Sequence, residues 1–122
     1  MTVAEIKAIV MSQTNNDATD VDEFLPYLLD YINEGYDRLV LAYAKQHLTD
    51  TGSYIALADD TDEPNLPKWT HQAIAAWATW CIYRNGNPSK QNRGFQFRAA
   101  AEETTAQIRN GTDTLHIRNM PD

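Results

Sequence analysis

Cys81 is the only cysteine in the 122-residue chain. With His71 or His116 as base it would make the one nucleophile–base combination this sequence offers. It lies in an aromatic run, WATWCIY, where a buried inert thiol is the expectation. His47, His71 and His116 are widely separated, and none completes a recognised metal pattern at helical spacing, so zinc is disfavoured. The run Asp59, Asp60, Asp62, Glu63 is as acidic as a calcium loop, but Pro64 follows it and the required glycine is missing, so it reads as a solvated charge run. There is no phosphate-cradling glycine loop, dinucleotide fingerprint or G-x-S-x-G elbow. Lys90, Arg93 and Arg98, with Phe95 and Phe97 between them, form the one candidate nucleic-acid patch; salt bridges to an acidic neighbour would use them equally well. The expectation is no enzyme, no cofactor and no metal.

The elements that carry these residues read as helices. Thr2 and Glu5 have the spacing of a capping box, and Val3, Ile6, Ile9 and Val10 share a face, predicting a first helix over 2–13. A second, from Phe24 to His47 with Pro26 in its first turn, carries the strongest period: Leu25, Leu28, Leu29, Ile32, Tyr36, Leu39, Val40 and Tyr43 form one stripe. Asp30, Glu34 and Asp37 lie opposite. Gly35 within this helix points to close packing. Residues 48–67 form a long connection, with a possible short β-segment at Ser53 to Leu57 and then an extended, solvated acidic arm.

The third predicted helix, Lys68 to Asn85 with Gly86 as C-cap, is apolar nearly all round, which calls for a neighbouring subunit to complete its shell. The fourth starts after Asn87 with Pro88 in its first turn and ends at Gly111; Gly94 leaves residues 88–94 the weakest part, partly loop. It too has two apolar sides, Phe95, Ala99 and Ala106 on one, Phe97, Ala101 and Ile108 on the other. Residues 112–122 read as an extended arm.

The fold class expected is therefore all-α, a helical domain over 1–111 with a C-terminal arm over 112–122. No run approaches the roughly 20 apolar residues that span a bilayer, and no signal peptide is recognisable, so a soluble protein assembled in a reducing cytosol with no membrane partner is expected. The net charge of −7 disfavours nucleic acid as a partner of the whole chain. It is unevenly spread, −10 over residues 1–67 and +3 over 68–122. That split suits head-to-tail contacts between identical subunits.

Interface residues are sought where apolar, aromatic or arginine side chains leave the main stripe. Tyr27, Tyr31, Arg38 and Leu41 do so on the second helix; Trp77 on the third and Arg93, Phe97 and Arg98 on the fourth complete the candidate set.

The run PNLPKWTHQAIAAWATWCIYRNGNPSKQNRGFQF resembles the small helical adaptor, or head-completion, proteins of the head–tail connector in long-tailed bacteriophages. The resemblance rests on an L-P-x-W lead-in at Leu66, Pro67 and Trp69. It continues in AIA-x-WAT from Ala73, then YRNGN from Tyr83 to Asn87, and finally KQ-x-RG-x-x-F at Lys90, Gln91, Arg93, Gly94 and Phe97. Ile32, Asn33 and Tyr36 also look like the family's first long helix. The resemblance implies an all-α adaptor built on a long antiparallel helical hairpin. Twelve copies would form a ring beneath the portal in the virion neck, extending the DNA channel without gripping DNA and docking a stopper or tail-completion protein. It further implies a C-terminal segment that docks on the portal; here that is the arm, with Leu115, Ile117, Arg118 and Met120 as its contact residues. The alternative from another class is a small helical nucleic-acid-binding regulator using Lys90, Arg93, Arg98 and Arg109.

Overall fold

The computed structural model describes residues 1–14, 24–47 and 55–110, and among them every regular element is helical. Four α-helices follow in order: α1 (Val3–Gln13), α2 (Leu28–His47), α3 (His71–Arg84) and α4 (Pro88–Arg109). Single 3₁₀ turns, Leu25–Tyr27 and Lys68–Thr70, lead into α2 and α3. The all-α expectation holds. No strand occurs over 55–57; Ser53 and Tyr54 of the expected β-segment lie outside the described residues. The arm over 112–122, with Leu115, Ile117, Arg118 and Met120, lies outside them as well.

Local chemistry sets the helix ends. At α1 the capping box forms in full: the Glu5 amide donates to Thr2 Oγ1 at 3.2 Å and the Thr2 amide donates to Glu5 Oε1 at 2.8 Å. These bonds satisfy helix-end donors that would otherwise lack partners. At α4, Asn87 Oδ1 accepts from the Lys90 amide at 3.0 Å, and Pro88 occupies the first turn. Two predicted starts move. Regular α-helix begins at Leu28 and at His71, not at Phe24 and Lys68, because the first turn of each segment winds as 3₁₀ beside Pro26 or after Pro67. At the end of α3 the cap is Asn85, one residue before the expected Gly86, and Gly86 does not take the left-handed conformation of a glycine cap.

The central element is α3, which packs on α4, α2 and α1. One side of it, with Ala73, Ile74, Ala75 and Ala78, joins the main core with Val3, Ile6 and Val10 of α1 and Leu28, Ile32, Tyr36 and Leu39 of α2. Its other side, with Ala76, Trp77, Trp80 and Cys81, forms a second core with Ala101 of α4, against which Tyr31 and Phe97 pack. The expectation that a neighbouring subunit must complete the shell of this helix is corrected: α1, α2 and α4 bury it within one chain. Small side chains make this possible. Alanines at 73, 75, 76 and 78 let three helices approach a single thin one.

Two glycines serve the same purpose. A Cβ on Gly35 would sit 3.1 Å from both the Ile74 carbonyl and the Trp77 Cβ, so α2 and α3 approach closely there. A Cβ on Gly94 would lie 2.6 Å from the Tyr83 Cβ and 2.8 Å from the Trp80 ring. Residues 88–94, expected to be partly loop, are helix throughout, and Gly94 allows close packing there at a cost in propensity of about 1 kcal/mol.

The long connection is also corrected. Asp59, Asp60 and Glu63 are exposed, as expected of a solvated run, but instead of forming an extended arm residues 57–66 are strapped to the helices. The Asn33 side-chain amide exchanges two bonds with the Leu57 backbone, 2.8 and 2.9 Å long. The Val3 and Ala4 amides at the start of α1 donate to the Asp62 and Asp60 carbonyls at 2.8 and 3.0 Å. The Asn65 amide donates to the Tyr36 hydroxyl at 2.8 Å. The acidic run is a turn closed by the Asp62 carboxylate, which accepts from the Ala58 and Asp59 amides, both at 2.9 Å. These bonds hold the Asp62 carboxyl below the usual carboxylate range.

Candidate interface on the second and fourth helices

Seven of the eight interface candidates fall into two groups, with Arg93 apart from both. Tyr31, Arg38, Trp77, Phe97 and Arg98 gather around the second core and are engaged within the chain. Trp77 is buried, and the Arg38 guanidinium lies over its ring at 3.9 Å from the centroid. Arg98 stands 5.5 Å from the Trp80 ring centroid and also reaches Glu102 at 3.4 Å, one helical turn on. The Phe97 ring stacks on Tyr83 with centroids 6.0 Å apart. Tyr31 packs against both cores and its hydroxyl accepts from Asn85 Nδ2 at 3.1 Å. Tyr27 and Leu41 form the second group, 55 % and 58 % exposed on the outer side of the second helical segment. Arg93 is exposed on α4.

The polar residue that organises the seam between α2 and α3 is Glu34, which helical period had assigned to the solvent side. Its Oε2 accepts from Trp77 Nε1 at 2.7 Å, from Arg84 at 3.0 Å and from the Cys81 thiol at 3.3 Å, while Oε1 accepts from the other Arg84 nitrogen at 3.2 Å. Burial pushes this carboxyl upward, but the bonds from Arg84, Trp77 and Cys81 outweigh it and hold the group below its usual range. The same neighbourhood acts oppositely on Cys81. Burial, followed by the Glu34 charge, pushes its thiol up to about 12.

His71 sits at the opposite end of α3, ten residues and about 15 Å of helix from Cys81, so the two do not form a nucleophile–base pair. It is buried, with Nε2 2.9 Å from the Leu66 carbonyl and Nδ1 2.9 Å from the Met1 amino group. Those partners fit the tautomer protonated on Nε2, donating to the carbonyl and accepting at Nδ1. Burial lowers its pKa. His116 lies outside the described residues. Among the described residues no three His, Cys, Asp or Glu side chains gather as a metal would require, and no helix is long and apolar enough to cross a membrane.

Large apolar side chains remain outward on the second helical segment and on α4. Leu25, Tyr27 and Leu41 are exposed along the second segment, and Phe95 is exposed on α4 although its ring stacks on Trp80 with centroids 5.3 Å apart. Large exposed apolar and aromatic side chains on adjacent helices are the material of interface cores. In comparison with known proteins, no family model, no curated protein and no solved structure matches this chain.

Proposed function

We propose that the chain is a structural adaptor of the head–tail connector of a long-tailed bacteriophage. Twelve copies form a ring beneath the portal in the virion neck. The ring extends the DNA channel and presents a surface to the stopper or tail-completion protein. Residues 112–122 dock on the portal through Leu115, Ile117, Arg118 and Met120.

The observation that carries this reading is where the resembling stretch falls. Leu66 to Phe97 supplies the bond that fixes His71, the whole of α3, the Asn85–Asn87 link and the start of α4. The likeness therefore lies in the framework on which every other helix packs, which is what a scaffold with no reactive centre would hold in common. The acidic net charge supports passage of DNA without tight binding, since neutralising phosphates is what makes such binding tight.

The experiment is portal capture by the intact chain and by a chain truncated after Gly111. The intact chain binds the portal of its own phage and the truncated one folds normally but binds it weakly. Equal binding by both overturns the docking role of the tail. Steeply salt-dependent DNA binding by the intact chain, without portal binding, favours the nucleic-acid-binding regulator instead.

A further inference from the structure

Asparagine followed by glycine occurs twice in this chain, at Asn85–Gly86 and at Asn110–Gly111. The step has a chemistry of its own. Glycine carries no Cβ, so nothing on the second residue obstructs attack by its amide nitrogen on the asparagine side-chain carbonyl. Both asparagines are exposed, and both cap a helix with nearly the same backbone, φ −87° and ψ 0° at Asn85, φ −85° and ψ 2° at Asn110. At such a ψ the following nitrogen is turned away from the asparagine Cβ, so ψ must rotate before the reacting atoms can meet. The two sites differ in what opposes that rotation.

Around Asn85 it is opposed from both sides. Its Nδ2 donates to the Cys81 carbonyl at 2.8 Å and to the Tyr31 hydroxyl at 3.1 Å. The Gly86 amide donates to the Tyr83 carbonyl at 3.0 Å, and Gln91 Nε2 donates to the Gly86 carbonyl at 3.3 Å. Beyond Gly86 comes α4, seated on α3 where Gly94 meets Tyr83 and Trp80. Rotation at Asn85 breaks these bonds and swings α4 off α3. At Asn110 the side chain makes no hydrogen bond among the described residues. Its backbone N–H donates to the Ala106 carbonyl at 2.8 Å, but that bond precedes the rotating one and survives it. No described helix follows.

We propose that Asn110 is a site of spontaneous deamidation, and that the junction of α3 with α4 shields the chemically equivalent Asn85. In the reaction the Gly111 nitrogen attacks Cγ of Asn110. The new C–N bond closes a succinimide ring, the Cγ–Nδ2 bond breaks, and ammonia leaves with the proton lost from the Gly111 nitrogen. Water then opens the ring at either carbonyl, giving aspartate or its isoaspartyl isomer; no electrons are exchanged. Either product adds a negative charge at the C-terminal end of α4, beside Arg109, where the helix dipole disfavours it. The isoaspartyl form also lengthens the backbone at the point where residues 112–122 join the helical domain. The inference stands apart from the adaptor reading, since it concerns only the two Asn–Gly steps.

The test incubates the full chain in mildly alkaline buffer, once native and once in concentrated urea. Peptide mapping by mass spectrometry follows amide loss and isoaspartate at each site over time. In the native chain Asn110 converts and Asn85 converts about tenfold or more slowly, because its reaction waits on local opening. In urea the two rates come together, as equal Asn–Gly chemistry requires. Equal native rates overturn the inference, as does faster loss at Asn85. A native chain in which neither site converts overturns it as well, by showing Asn110 shielded too. If Asn85 stays slow in urea, the fold is not what protects it, and the inference fails on that arm.

Discussion

Glu34 on α2 and Arg84 at the end of α3 form a two-pronged ion pair, 3.0 and 3.2 Å long, in which the same carboxylate also accepts from Trp77 and Cys81. The pair closes the seam at which the second core meets solvent. Both side chains keep more than a third of their exposure, 36 % for Arg84 and 40 % for Glu34, so water screens the charge and the hydrogen bonds carry much of the effect. Glu34→Ala leaves the buried indole N–H without its acceptor and is expected to cost about 1–2 kcal/mol in urea unfolding. Glu34→Gln, which can still accept from the indole, costs less. The sign of the pH effect follows from the lowered carboxyl: the pair contributes fully above its ordinary value of 4.5 and is lost as pH falls through the lower folded value.

Gly94→Ala sets two principles against each other. Helix propensity favours alanine by about 1 kcal/mol. The new methyl, however, would meet the Tyr83 Cβ at 2.6 Å and the Trp80 ring at 2.8 Å, neither of which is the free end of a flexible chain. Overpacking of this kind costs about 1–3 kcal/mol, so the variant is expected to unfold at lower urea than wild type. A more stable variant would show that α4 can shift off α3 without penalty.

His71 predicts a stability change near neutrality. Burial lowers its pKa from the ordinary 6.5, so the unfolded chain takes up a proton more readily than the folded one. Its contribution is complete above 6.5 and falls as pH drops below that value. Thermal unfolding followed from pH 7.5 to 5 should show a declining midpoint, and His71→Gln, which can keep a donor toward Leu66, should flatten that decline. An unchanged slope in the variant would assign the decline to other groups.

Cys81 should be chemically silent in the folded protein. Its thiol is fully buried, donates to Glu34 and has its pKa pushed up to about 12. A thiol-specific reagent at pH 8 is expected to label it about 100-fold or more slowly in buffer than in denaturant. Fast stoichiometric labelling of the native chain would mean that α3 opens readily.

How much of this was legible in the sequence depended on distance along the chain. Thr2 with Glu5, and Asn87 with Pro88, are local signals, and the structure forms both caps as read. The stripe from Leu28 to Leu39 was legible because one helical period repeats over about three turns. Glu34 was not, because the partners that draw it inward, Trp77, Cys81 and Arg84, lie 43 to 50 residues away. The acidic turn was missed for the same reason: the α1 amides that its carbonyls cap are more than 50 residues distant. Alanine misled in its own way. An all-round apolar helix suggested a missing neighbour, whereas its small side chains are what allow three helices of the same chain to enclose it. Of the interface candidates, Tyr27 and Leu41 stand exposed, but type and spacing could not show that Arg38 and Arg98 lie over tryptophans of their own chain.

The central claim is that this framework serves as an adaptor on a portal. Mass measurement of the purified portal of its own phage, alone and after mixing with the full chain at micromolar concentration, tests it most directly. The account predicts a discrete complex heavier by one chain for each portal subunit. A portal whose mass does not change would contradict it.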